Sequence, residues 1–120
     1  MDLTKYHFLF NAACYFAANE KYPDGFFDVC YKNNSEGLEV LCWLLQEMSE
    51  QGELYRRYMG YDPEETLKAD EAMLMMRPKD INIGRGIVMA AMEAGFNNNN
   101  AEEEVDLVLV ELQKKTKSST

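Results

Sequence analysis

Histidine occurs once in this chain of 120 residues, at His7, and the three cysteines, Cys14, Cys30 and Cys42, form no C-x-x-C pair. A nitrogen- or sulfur-ligated metal centre needs about four such groups at close spacing, so no metal ligand is assigned. An odd number of cysteines among apolar neighbours does not make a disulfide framework. It fits buried free thiols in a reducing compartment. No apolar run approaches the roughly 20 residues of a membrane span. The opening MDLTKYHF has neither the charged start nor the apolar core of a secretion signal. Both point to a cytoplasmic protein. Basic residues are scarce as well: 12 Lys and Arg stand against 21 Asp and Glu, a net charge of −9. Such a surface repels a phosphate backbone and an anionic bilayer alike, so neither nucleic acid nor membrane is expected as a partner. It favours solubility and suits association with another protein.

What is present is helical. Hydrophobic residues make up 47% of the chain, enough for one domain with its own core. The periodicity predicts an all-α fold: a compact bundle of about five helices over residues 1–96, then an Asn-rich linker and a C-terminal amphipathic helix over 97–120. Leu9, Ala12, Ala13 and Phe16 share one face of a first helix, with a short extended entry over Tyr6–Phe10 as the alternative start. Pro23-Asp24-Gly25 stops it, and Phe26–Tyr31 reads as a short helix closed by Asn33-Asn34. Ser35 is the expected cap of a central helix with the stripe Leu38, Leu41, Cys42, Leu45 and Met48, widened by Val40, Trp43 and Leu44. Gly52 is expected to interrupt it, with a further turn or two over Glu53–Met59.

The strongest local signal is Asp62-Pro63-Glu64-Glu65, a cap, a first-turn proline and a returning carboxylate. It predicts a helix from Asp62 on which Thr66, Ala69, Met73 and Met76 share a face. Pro78 ends that run. Asp80 is the expected cap of the next helix, where Ile83, Ile87, Ala90, Ala91 and Ala94 align and Gly95 serves as the C-terminal stop. Asn97–Asn100 read as the linker. Beyond them Val105, Val108, Leu109 and Leu112 form a helical stripe, with Glu102–Glu104 at its start and Lys114 and Lys115 at its end, as the helix dipole favours.

No catalytic set emerges. His7 lacks a neighbouring nucleophile and orienting acid. Gly84-Arg85-Gly86 lacks the third glycine and the preceding strand of a dinucleotide fingerprint. Within a helix each of its glycines costs about 1 kcal/mol against alanine, which close approach of a neighbour or a fraying first turn would explain. The acidic run Glu102–Asp106 lacks the spacing of a calcium loop. No catalytic or cofactor-binding residue is assigned, and the protein is read as a non-enzyme. The candidate contact residues are methionines: Met73, Met75, Met76, Met89 and Met92 fall on two adjacent helices. Flexible thioethers fill core gaps and also line adaptable binding surfaces. Met73, Met75 and Met76 are spaced too widely around a helix to face one core, so some thioether is expected at the surface.

The order of features resembles the phage tail assembly chaperones, small helical proteins of tailed phages and prophages. FNAACYFA (Phe10–Ala17) is similar to that family's first helix, and the short FFDVCY follows. LEVLCWLLQE (Leu38–Glu47) is similar to its Trp-containing central helix, DPEETLKADEAM (Asp62–Met73) to its acidic segment, and INIGRGIVMAAMEAGF (Ile81–Phe96) to its closing helix. EEEVDLVLVELQKK (Glu102–Lys115) resembles the charged tail. The resemblance implies a non-enzymatic protein that binds the long helical tape measure protein and keeps it from aggregating during tail assembly. The competing expectation is a small acidic adaptor or regulator acting through homo-oligomerisation or protein binding. A small helical enzyme or an acidic DNA mimic would need converging polar groups, or carboxylates spaced like phosphates on one face.

The stripe Val105, Val108, Leu109 and Leu112 is expected to dock on a partner or on another copy of this protein, since it lies beyond the capped body. Removing residues 101–120 should therefore leave the helical circular-dichroism signal per helical residue and the cooperative melt of the body intact. Loss of cooperative melting would show the tail to be ordinary core.

Overall fold

The computed structural model describes residues 1–97. The tail with Val105, Val108, Leu109 and Leu112, and the linker beyond Asn97, lie outside the described residues. The described chain is all-α, with no strand among its elements. After a 3-10 turn at Leu3–Lys5 come α1 (Ala12–Lys21), α2 (Phe26–Cys30), α3 (Ser35–Tyr58), α4 (Ala69–Met75) and α5 (Pro78–Phe96). The other four helices all pack on α3, whose Val40, Leu41, Cys42, Leu44, Leu45 and Met48 are fully buried. An apolar stripe this wide needs neighbours on several sides.

Asn34, one residue earlier than expected, caps α3 by accepting from the Gly37 N–H at 2.8 Å. The helix then runs without a break through Gly52, contrary to expectation. Gly52 is buried because another backbone lies against it: a Cβ there would collide with the His7 carbonyl. One turn earlier, the Met48 carbonyl accepts from the Leu9 N–H at 3.0 Å. Residues 6–11 are thus an extended segment laid along α3, the alternative reading of the start. Asn11 fastens its end, accepting from the Cys14 N–H to cap α1 and donating to Gln51 of α3. The helix therefore begins at Ala12, and its buried pair is Cys14 and Ala18. The expected face is corrected: Ala12, Ala13 and Phe16 point outward, because Leu9, which was to complete that face, belongs to the extended segment.

The end of α3 follows from local chemistry. Gly60 takes a positive φ of 95°. The Gly60 N–H bonds the Arg57 carbonyl and the Tyr61 N–H the Arg56 carbonyl, the two bonds of a Schellman stop.

The largest departure is at Asp62–Lys68, which forms no helix despite its capping signal. Tertiary bonds claim its backbone instead. Arg56 donates to the Asp62 carbonyl at 3.0 Å, the Glu53 carboxylate accepts from the Glu64 N–H at 2.6 Å, Ser49 Oγ accepts from the Leu67 N–H at 2.9 Å and Gln46 Oε1 from the Ala69 N–H at 2.6 Å. Gln46, Ser49, Glu53 and Arg56 are spaced 3-4-3, one polar line along about 15 Å of α3. The segment runs antiparallel to the helix and drives Leu67 fully into the core. Thr66 consequently stays outside α4, and Ala72 is that helix's buried residue.

Helix α5 begins at Pro78, not after it. Arg77 is its N-cap, and Asp80 sits in the first turn, reaching back to accept from the Arg77 N–H at 2.9 Å. At the far end Gly95 is not the stop. The helix continues to Phe96, and the Phe10 carbonyl occupies the space where a Gly95 Cβ would be. Gly84 meets side chains, Leu45 at 3.2 Å and Met76 at 3.3 Å, whereas nothing lies within 4 Å of a Cβ on Gly86. Between them Arg85 donates to the Cys30 and Lys32 carbonyls, and Tyr31 donates back to the Arg85 carbonyl, which closes α2 against α5.

Ser49→Ala leaves the buried Leu67 N–H unpaired and should cost about 1–3 kcal/mol in urea unfolding. Gly52→Ala should destabilise more, because the His7 carbonyl must move. Burial alone would raise the Glu53 carboxyl, but the Glu64 N–H and the Arg56 and Arg57 guanidiniums outweigh it and hold its pKa below the ordinary value. Its contribution is therefore fully present above the ordinary carboxylate pKa and is lost as pH falls through the lower folded one. Glu53→Gln should destabilise the chain at pH 7 and matter much less near pH 2.

Candidate functional site

The extended segment and the small residues of α5 enclose an open groove of about 610 Å³. Its walls are the backbone and side chains of residues 6–11, the second half of α3 at Gly52–Arg56, and the α5 face Ile87, Ala90, Ala91 and Ala94. Each wall follows from features already described. Gly52 and Gly95 let the extended segment press against both helices, and the alanines of α5 project too little to fill the space left between. The residues expected to align on α5 therefore split. Gly84 and Val88 carry the packed face, while Ile87, Ala90, Ala91 and Ala94 line the groove, and Ile83 is 51% exposed beyond it.

Aromatic rings close the end of the groove nearest Gly95. Phe10 stacks on Phe26 at 6.1 Å and meets Phe96 at 5.7 Å, while Tyr15 lies edge-on to Phe96 at 5.1 Å and tilted against Phe16 at 5.4 Å. Phe16 and Phe96 are both exposed.

Three polar side chains at the groove are engaged with other residues of the chain. His7 Nε2 pairs with Glu64 Oε1 at 3.0 Å on the exposed rim, joining the two extended segments. Asn11 is held by Cys14 and Gln51, and Arg56 by Glu53 and the Asp62 carbonyl. A small-molecule site of this volume orients its ligand with a few convergent polar groups. Here three candidates for that role already have partners.

The five methionines separate. Met73 and Met75 are exposed on α4, flanking Leu74 at 82% exposure, and Met89 is half-exposed on α5. Met76 and Met92 pack against the core, Met76 with its sulfur 3.9 Å from Cys42 Sγ. None of the five lines the groove. The groove was missed in the sequence because the α5 stripe has the same spacing as a core face. The residues that seat its wall, Gly52 and Gly95, read as helix breakers.

Cys14, Cys30 and Cys42 are free and buried. Burial pushes their thiols up, to about 12 for Cys14 and about 11 for the other two. Nucleophilic chemistry needs the thiolate, so these are packing residues. Among the described residues no three His, Cys, Asp or Glu side chains gather as metal ligands, and no helix is long and apolar enough to cross a membrane.

At neutral pH a thiol reagent should leave the native chain almost unmodified over a time in which the urea-unfolded chain releases three equivalents. Rapid native reaction at any of the three would contradict their burial. Compared with protein-family models, curated proteins and solved structures, the chain matches none.

Proposed function

We propose that this protein is a non-enzymatic holding protein that binds an amphipathic helical partner and keeps it from aggregating, as the phage tail assembly chaperones it resembles do for the tape measure protein. The observation that carries the reading is the groove: an apolar, alanine-floored trough at which His7, Asn11 and Arg56 are already bonded to other residues of the chain. Such a trough accepts the apolar face of a helix, where ridges of side chains meet small residues. The run Met73, Leu74 and Met75 adds exposed apolar surface with adaptable side chains. The charge of −9 keeps a body with that much exposed apolar surface soluble. In this reading the protein acts in the cytoplasm of the cell in which the tail is assembled, without a cofactor.

A second reading, an acidic adaptor acting through homo-oligomerisation, draws on the exposed Phe16 and Phe96 on either side of Tyr15. Sedimentation of the isolated chain separates the two: the adaptor requires a stable oligomer without any partner.

The test is co-expression with a tape measure protein of a tailed phage. The wild-type chain should bring that partner into the soluble fraction. Ala90→Glu, and separately the pair Leu74→Glu and Met75→Glu, should reduce the soluble partner several-fold while leaving the chain's own stability within about 0.5 kcal/mol, as expected for surface positions. A partner that stays insoluble beside the wild-type chain would defeat the proposal.

A further inference from the structure

Helix α4 turns one face into the core and leaves the other bare. Ala72 is fully buried, while Met73, Leu74 and Met75 are 43%, 82% and 52% exposed. At about 100° per residue Leu74 lies nearly opposite Ala72, at the centre of the outward face, with a methionine on either side. Asp70, one turn before Leu74, shares that face, and Glu71 lies beside it. Just past the helix come Arg77 and Lys79. These four charged residues are all exposed, and none of them forms an ion pair among the described residues. Along α4 the surface therefore runs from acid through apolar to base.

We propose that α4 pairs with α4 of a second copy of this chain, antiparallel across a two-fold axis at Leu74. The order of charge names this occupant. A two-fold contact sets each residue opposite the one at a matching distance beyond the axis. Asp70 and Glu71 stand four and three residues before Leu74; Arg77 and Lys79 stand three and five after it. Reversing one helix against the other sets each acidic end on the other copy's basic end, with Leu74 on Leu74 and the flexible thioethers filling the space around them. A wholly basic or wholly acidic partner would meet like charge at one end, which is costly at an interface.

The contact is small. The seven residues of α4 span about 10 Å, which suits a weak, transient pair and falls short of the roughly 1,600 Å² of a stable one. The pair belongs to concentrated protein and differs from the stable oligomer that an adaptor requires. The inference goes beyond the holding role and stands without it. No α4 residue lines the groove, so the pair carries two grooves, and a partner that takes Met73–Met75 competes with the pairing.

The experiment is sedimentation equilibrium of the full-length chain at physiological ionic strength with no partner present. The expected result is monomer at about 1 μM and a monomer–dimer equilibrium at a few hundred micromolar, on the order of a weak contact. Asp70→Lys with Glu71→Lys, and separately Arg77→Glu with Lys79→Glu, should each weaken the dimer at least about tenfold. An equimolar mixture of the two reversed chains should restore it, because acid then faces base again at both ends. Leu74→Cys keeps every charge, and at high concentration oxidised glutathione should link it to its own copy at dimer mass, with the three native thiols buried. This second readout decides the matter if a reversal disturbs folding. Monomer at every concentration, a dimer indifferent to both reversals, a mixture that stays monomeric, or no Leu74→Cys link would each overturn the proposal. No partner enters the measurement, so its outcome and that of the co-expression are read separately.

Discussion

The structure depends on one arrangement: a helix whose polar side chains bind the backbone of a segment lying alongside it. Gln46, Ser49, Glu53 and Arg56 of α3 hold residues 62–69 at four successive points. Each bond satisfies a backbone group that would otherwise need water or a helix of its own. Two of the groups on α3, Ser49 and Glu53, are buried, so their bonds form away from solvent and their loss leaves uncompensated polar atoms. On another side of the same helix, Gly52 and the Met48 carbonyl seat residues 7–9 by close approach. One helix thus carries two extended segments by two different means, and His7 and Glu64 join those segments on the exposed rim.

Those attachments shape the surface. Residues 6–11 belong to no helix and face Ile87, Ala90, Ala91 and Ala94 of α5 across the groove. As an extended strip they form a wall, and the trough between that wall and α5 stays open. Glycines and alanines set its depth, and His7, Asn11 and Arg56 at its edge are bonded to other residues of the chain. The proposed role as a holder of another chain's apolar face draws on this surface. The three thiols are sealed in the core and raised by burial.

Much of the fold was legible where local and tertiary preferences agree. The apolar stripe of α3, the short α2, the stop after Tyr58 and the all-α class follow from periodicity and turn residues. Errors occur where a tertiary bond outweighs a local signal worth about 1 kcal/mol. Asp62-Pro63-Glu64-Glu65 is a strong cap, but hydrogen bonds from α3 claim its backbone at Asp62 and Glu64 and continue to Leu67 and Ala69. Gly52 and Gly95 look like interruptions, but each is the vacancy that admits a carbonyl from residues 7–10. Periodicity cannot tell a stripe facing the core from one facing a groove, so the α5 alanines carried no mark of exposure. The methionine reading was legible only in part: the spacing of Met73, Met75 and Met76 requires some to be exposed, and Met73 and Met75 are, yet Met76 and Met92 pack inward.

If α3 pins both extended segments, their amides are protected as a helix core is, although they belong to no helix. Native-state hydrogen exchange at the Leu67 and Leu9 amides reads this directly. The account predicts protection close to that of the buried amides of α3 at Leu41–Leu45. Exchange at the rate of an unstructured peptide at either site would contradict it and would remove a wall of the groove.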